Sequence, residues 1–308
     1  MRGMRGGVAH VARVIEDDLY DRKTGLNKPH VMGLADCAAS ALACRSANTA
    51  EWQTVLPRQT GDAKSKERYI SRLLANDLID HSAVMAGFIP ELAALLSANG
   101  QTLIVMMDQT KISDGFECLM VSLRVGNRAV PVDWMVSATE GGIGFDRQKP
   151  LLERVLAMLP AHAKVMLAAD RFYGTAALIR WCQHAAWDYR IRLKGNLTLT
   201  HEGGALTTDD AITLMPQGLI GAELYNSGVK TNIGVVHDKG HKEPWIIAMN
   251  AKPTRHTTLD YGLRWGIEPM FSDFKSRGFS ITKTQLVHAD RIARLILVLA
   301  IALIWAVS

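Results

Sequence analysis

Residues 257–278, TTLDYGLRWGIEPMFSDFKSRG, decide how the rest of the chain is read. The stretch carries helix signals at both ends. Thr257 and Asp260 have the spacing of a capping box with Asp in place of Glu, and Gly278 sits where a left-handed C-cap falls. At about 100° per residue, Leu263, Ile267, Met270, Phe271 and Phe274 gather on one face, which is expected to be buried. Tyr261, Arg264, Glu268 and Lys275 fall within roughly 60° of one another on an adjacent face. A carboxylate, two cations and a phenol line up beside an apolar stripe, which suits a phosphate-bearing partner. The same face also fits a solvated surface with an ordinary Arg264–Glu268 ion pair at i,i+4, worth about 0.3–0.5 kcal/mol. Pro269, directly after Glu268, removes a helix hydrogen bond and biases Glu268 away from the α region, so a kink is expected there.

Upstream, residues 101–195 have the texture of strands alternating with helices. Residues 103–107, LIVMM, form a continuous apolar run, hence a strand buried on both faces that ends at Asp108. Residues 116–125 and 128–136 are β-rich and separated by Gly126-Asn127, which suits a two-residue hairpin turn. Pro131 argues for an exposed edge on the third strand. A helix over 148–159 precedes a second buried run, VMLAA at 165–169, which also ends at an acid, Asp170. A helix over 175–186 and a strand over 189–193 follow. Strand, hairpin strand, strand, helix, strand, helix, strand is the element order of an RNase-H-like fold. Sheets of this kind place their sites at the ends of central parallel strands. Each acid alone also reads as a strand-terminal turn Asp.

The spacing Tyr-x2-Arg-x3-Glu-x6-Lys at 261, 264, 268 and 275 resembles the signature of DDE-type insertion-sequence transposases, specifically the Y-R-E-K (insertion sequence 4 type) family. Met107-Asp-Gln-Thr110 is similar to that family's first-Asp strand end, and Ala169-Asp-Arg-Phe-Tyr-Gly174 to its second. The similarity covers roughly residues 103–290. It implies that Asp108, Asp170 and Glu268 are catalytic and hold two Mg²⁺ or Mn²⁺ ions, with Asp108 bridging them. It further implies that Tyr261, Arg264 and Lys275 grip DNA phosphates beside the scissile bond. The implied reaction is metal-dependent cleavage and strand transfer, with terminal inverted repeats and target DNA as partners and a homodimer across two ends. The sequence itself shows no dimerisation motif. An RNase-H-like nuclease without strand transfer and an inactive DNA-binding relic are the competing readings, the latter suggested by Pro269 and the abrupt C-terminus.

The expected architecture is therefore α/β: an RNase-H-like mixed-sheet catalytic domain over 101–308, preceded by an all-helical DNA-binding region over 1–100. The interval from Asp170 to Glu268 exceeds what one helix and one strand need, so residues 196–252 read as an insertion. Its Gly- and Thr-rich texture and short runs at 234–237 and 245–248 make it β-rich. His237 and His241 stand four apart, but the HDKGHKEP context reads as a loop rather than a zinc site. Gly141-Gly-Ile-Gly144 lacks the Lys and the strand–helix context of a phosphate loop.

In the first hundred residues, helices are expected over 8–20 and 29–45, then, after a polar connector at 56–62, from Ser65 and from Pro90. The helix from Ser65 sets Tyr69, Ile70, Leu73, Leu74 and Leu78 at helical spacing and carries Lys64, Lys66, Arg68 and Arg72 near its start. That charge reads either as a DNA-end-binding face or as a solvated basic one.

The 308-residue chain is 48% hydrophobic and 21% charged, as folded proteins are, and its net charge of +5 suits a polyanionic partner. Cys37, Cys44, Cys118 and Cys182 are scattered without a CxxC pair, as expected of reduced thiols in a cytoplasmic protein; the resemblance implies a bacterial protein associated with DNA. The start MRGMRGGVAH lacks the apolar core of a signal peptide. Residues 295–307 are apolar without interruption, short of the roughly 18–20 a membrane span needs, so a core helix and no membrane are expected. The tail ends at Ser308 without a polar turn, as a truncated chain would.

Overall fold

Helices form the first third of the protein, in a computed structural model that describes residues 2–58, 62–214, 218–237 and 243–307. They are α1 Arg2–Asp21, α2 Lys28–Cys44, α3 Thr49–Val55, α4 Ala63–Leu74, α5 His81–Met85 and α6 Ile89–Leu96. Local chemistry fixes several ends. Asn27 accepts from the His30 N–H to start α2, which closes on Arg45 at φ 49°. Asp62 caps α4 by accepting from the Ser65 N–H. The short helices α3 and α5 were not expected, and Leu78 lies exposed beyond the end of α4 instead of continuing its apolar face. Residues 59–61 of the expected connector lie outside the described residues.

The sheet begins with the meander β1 Leu103–Ser113, β2 Phe116–Val125 and β3 Arg128–Ala138. Gly126 takes the positive φ (59°) of the β2–β3 turn, and β3 with Pro131 lies at the sheet edge. After α7 Phe145–Met158, β4 Val165–Ala169 pairs parallel to β1; after α8 Ala176–His184, β5 Asp188–Arg192 pairs parallel to β4. This is the RNase-H-like arrangement, joined to the helical N-terminal region as expected. One bound changes: β1 does not stop at Asp108 but continues to Ser113, because β2 pairs with it through and beyond that point, Asp108 facing Met120. What ends there is the parallel ladder, whose last rung is Met107 with Ala169.

The interval 196–252 is β-rich, with β6 Thr198–His201, β7 Gly204–Thr207, α9 Thr208–Leu214, β8 Leu219–Leu224, β9 Lys230–Val236 and β10 Trp245–Met249. Its strands extend the main sheet: β10 pairs antiparallel with β5, giving the order β3-β2-β1-β4-β5-β10-β9-β8-β6-β7.

Residues 257–278 do not form one helix. α10 Arg255–Leu259 gives way to a 3₁₀ stretch, Asp260–Gly266, and then to α11 Ile267–Phe274. The capping box belongs to Thr254 and Thr257, three residues earlier than expected. The break falls before Glu268. Gly266 lies so close to the sheet that an added Cβ would stand 3.1 Å from the Arg128 carbonyl oxygen and 3.3 Å from Met106 Sδ. Pro269 sits in the first turn of α11, where no N–H is needed, and so does not kink it. Ile267, Met270, Phe271 and Phe274 are buried as expected, while Leu263 is half-buried. Gly278 is not a left-handed cap: an added Cβ there would collide with the Asp273 carbonyl oxygen.

The last helix, α12 Ala289–Val307, is the expected core helix and packs on β3 and α2. Trp134 Nε1 donates to the Ala293 carbonyl at 3.1 Å, and Arg294 donates to the Leu74 carbonyl at 2.9 Å. Its apolar face belongs to a core that runs continuously from the N-terminal helices through the sheet. Among the described residues no helix is long and apolar enough to cross a membrane.

Candidate active site

Because the β1–β4 ladder ends at Met107 and Ala169, Asp108 and Asp170 each stand one residue past its last rung, on adjacent strands. The 3₁₀ stretch is laid against this end of the sheet. Its three residues per turn place Tyr261 and Arg264 on one face, and the α-helical turn that follows adds Glu268. Arg264 Nη1 donates to Asp108 Oδ2 at 2.8 Å, and Nη2 donates to Glu268 Oε1 at 2.8 Å. Tyr261 donates to Asp170 Oδ1 at 3.5 Å. The structure thus ties Asp108 and Glu268 together through Arg264 and sets Tyr261 against Asp170. The Arg264 donors face carboxylates, where the sequence reading expects phosphate.

Burial differs sharply across the group. The Arg264 side chain is 9% exposed, Asp108 21% and Glu268 55%. Burial pushes the Asp108 carboxyl above its ordinary range and Asp170 adds to the push, while Arg264 and the Gln109 N–H pull only part of the way back. Burial works against the Arg264 charge, yet Tyr261, Asp108, Asp170 and Glu268 hold its pKa up. Lys275, just past α11, is half-buried. Burial lowers its pKa, and the nearby charges of Glu117 and Asp108 oppose that shift.

Two neighbours escaped the sequence reading. Gln109 ties the site to its surroundings: its side chain donates to Glu117 at 3.1 Å and to the Gly141 carbonyl at 3.0 Å, and accepts from the Ile143 N–H at 2.9 Å. The Gly141–Gly144 segment is therefore a docking loop for Gln109, and the Phe172 ring lies against Gly142. Tyr173 is 1% exposed, and its hydroxyl has no partner among the described residues. Burial raises its pKa, and the charges of Asp108 and Asp170 raise it further, so it stays a protonated donor beside both acids. Arg264 Nε is likewise buried without a partner among the described residues. Both residues lie within stretches already singled out, but an orphaned donor leaves no mark in sequence.

Among the described residues, no three His, Cys, Asp or Glu side chains stand close enough to hold a metal ion together. The donor set still fits a hard divalent cation in kind, being all carboxylate, and the orphaned Tyr173 hydroxyl marks a buried place for a further polar group. What separates Asp108 from Glu268 is the Arg264 guanidinium. Of the histidine pair, His237 is exposed beyond β9, and His241 lies outside the described residues. On α4, Lys64, Arg68 and Arg72 are exposed, whereas Lys66 donates to the Gln53 carbonyl at 3.3 Å.

Comparison with known proteins adds an independent finding. Residues 147–305, just over half of the chain, match the family model described as a transposase DDE domain. The span includes Asp170 and Glu268 and begins after the strand that carries Asp108. No curated protein matches the chain. With acids one residue past the end of a parallel ladder and a third acid on the following helix, inside the matched span, the chain belongs to the DDE transposase family.

Proposed function

We propose that this protein is a transposase of the Y-R-E-K (insertion sequence 4 type) group that cleaves the ends of a DNA element and transfers the freed strands into target DNA. The observation that supports it best is the convergence of Asp108, Asp170 and Glu268, from three separate segments, on the Tyr261–Arg264 face. Asp108, Asp170 and Glu268 would hold two Mg²⁺ or Mn²⁺ ions. Such ions, when bound, neutralise charge on the phosphate and acidify the attacking hydroxyl. The chain's own residues do the positioning. Arg264 and Lys275 supply cations to the phosphate beside the scissile bond, and Tyr261 supplies a phenol held protonated by burial. Residues 101–308 would be the catalytic domain, with 196–252 as its insertion. The region 1–100 would bind DNA through the exposed Lys64, Arg68 and Arg72 of α4, with a homodimer spanning two ends.

The test is a supercoiled plasmid carrying the reading frame with its flanking DNA, incubated with protein and Mg²⁺ or Mn²⁺. Cleavage at inverted repeats together with joined products is expected. Cleavage without joining would make the protein a nuclease only, and no cleavage with either metal would make it an inactive relic.

A further inference from the structure

Arg264 holds the place between acids where a cation of another kind is required. Its two Nη groups each reach a carboxylate oxygen at 2.8 Å, one on Asp108 and one on Glu268. An oxygen engaged by a guanidinium N–H is neutralised and turned away from other cations, and a divalent ion beside it would meet a like charge. The arrangement is also incomplete. Arg264 Nε and the Tyr173 hydroxyl, both buried at the acids, have no acceptor among the described residues. The guanidinium is not sealed in, because Glu268 at its outer end is 55% exposed. A phosphodiester group arriving from that side is a better match for the planar fork than two separate carboxylates, since its two non-bridging oxygens accept two parallel N–H bonds and it brings its own negative charge.

We propose that Arg264 is an internal counter-ion that keeps Asp108 and Glu268 from taking metal until a DNA phosphate draws its guanidinium away. The proposal rests on the reading of these acids as metal ligands. On DNA binding, Arg264 exchanges carboxylate for phosphate, Asp108 and Glu268 are released towards Asp170, and the Tyr173 hydroxyl gains an acceptor among the re-aimed carboxylates. Metal loading and DNA binding then favour each other by the same factor, as linkage requires. A protein free in solution would hold its acids neutralised and inactive, and become competent where DNA is engaged.

The measurement is Mn²⁺ binding to the full chain, followed by the loss of the free-ion electron paramagnetic resonance signal. It is made with and without a short duplex of the DNA that flanks the reading frame. Wild type should bind Mn²⁺ weakly alone and about tenfold more tightly with the duplex, within the usual range of such couplings. Arg264→Gln should bind Mn²⁺ about tenfold more tightly than wild type without DNA and respond little to the duplex. Arg264→Lys keeps the charge but pairs with one acid at a time, so it should fall between the two. It carries the test if the Gln variant does not fold. Equal Mn²⁺ affinity in wild type and variants, unchanged by DNA, would overturn the counter-ion role while leaving the metal site standing. Absence of Mn²⁺ binding in every protein, with Asp108→Asn indistinguishable from wild type, would remove the metal reading and this proposal together.

Discussion

Asp108 carries its charge at a cost that Arg264 only partly offsets, which makes its effect on stability readable. Its folded-state pKa lies above the ordinary one, with burial as the largest cause. Such a group contributes stability that is full below the unfolded pKa and is lost as pH rises through the folded pKa. Asp108→Asn never acquires the charge. It should therefore melt higher than wild type at neutral pH in chelator, with the difference closing in acid below the carboxylate range. Thermal melts across pH decide it, and a lower melting temperature for the variant at neutral pH would mean that the Arg264 pair outweighs burial. Gly278 makes a different point at the same scale. Its position after an apolar stripe reads as a left-handed cap, yet the constraint is the Asp273 backbone packed against it. Gly278→Ala should destabilise the fold by about 1–3 kcal/mol in urea titration, as overpacking does. Spacing alone pointed to a left-handed cap, which Gly278 is not, because the contact with Asp273 exists only after the chain turns at Lys275.

Elements show the same division between local and distant causes. The β2–β3 hairpin, the buried run of β4 and the apolar face of α11 were legible because a turn pair or a period encodes them within a few residues. The helices α3 and α5 were not, being too short to show a period, and the break at Gly266 depends on the strand surface beneath it. α5 is anchored to the sheet through Asp133 of β3, which is fully buried. Asp133 accepts from Ser82 at 2.9 Å and from Arg154 of α7 at 2.6 Å, with His81 Nε2 at 3.1 Å. Burial raises its pKa, but the hydrogen bonds from His81 and Arg154 outweigh burial and leave it lowered. A lowered carboxyl contributes stability that is present above the unfolded pKa and lost as pH falls through the folded one. Asp133→Asn should cost about 1.5–3 kcal/mol at neutral pH, the range for hydrogen bonds to a charged group, since Arg154 is partly open to water. Urea titrations should show the gap between variant and wild type narrowing as pH drops below the carboxylate range. A gap that does not vary with pH would mean that Asp133 acts through shape alone.

At the scale of the whole molecule, the ten-stranded sheet runs unbroken from the β3 edge, where α12 covers it, to β7 at the far edge of the 196–252 interval. The β character of that interval was legible in sequence, but its fusion to β5 was not, because strand pairing over such distances leaves no local signal. The three acids were legible for two reasons of different kinds: two end apolar runs, and the third sits on a spacing that resembles a known signature. That Arg264 would stand between Asp108 and Glu268 was not, since the contact to Asp108 spans 156 residues. The central claim is that these acids carry out DNA cleavage. It is tested most directly by Asp108→Asn, Asp170→Asn and Glu268→Gln, each assayed with Mg²⁺ on supercoiled DNA carrying the flanks of the reading frame, with DNA binding measured in parallel. The account predicts that each variant loses cleavage and joining by more than about a hundredfold while still binding the DNA. Cleavage by any of the three at the wild-type rate would contradict it.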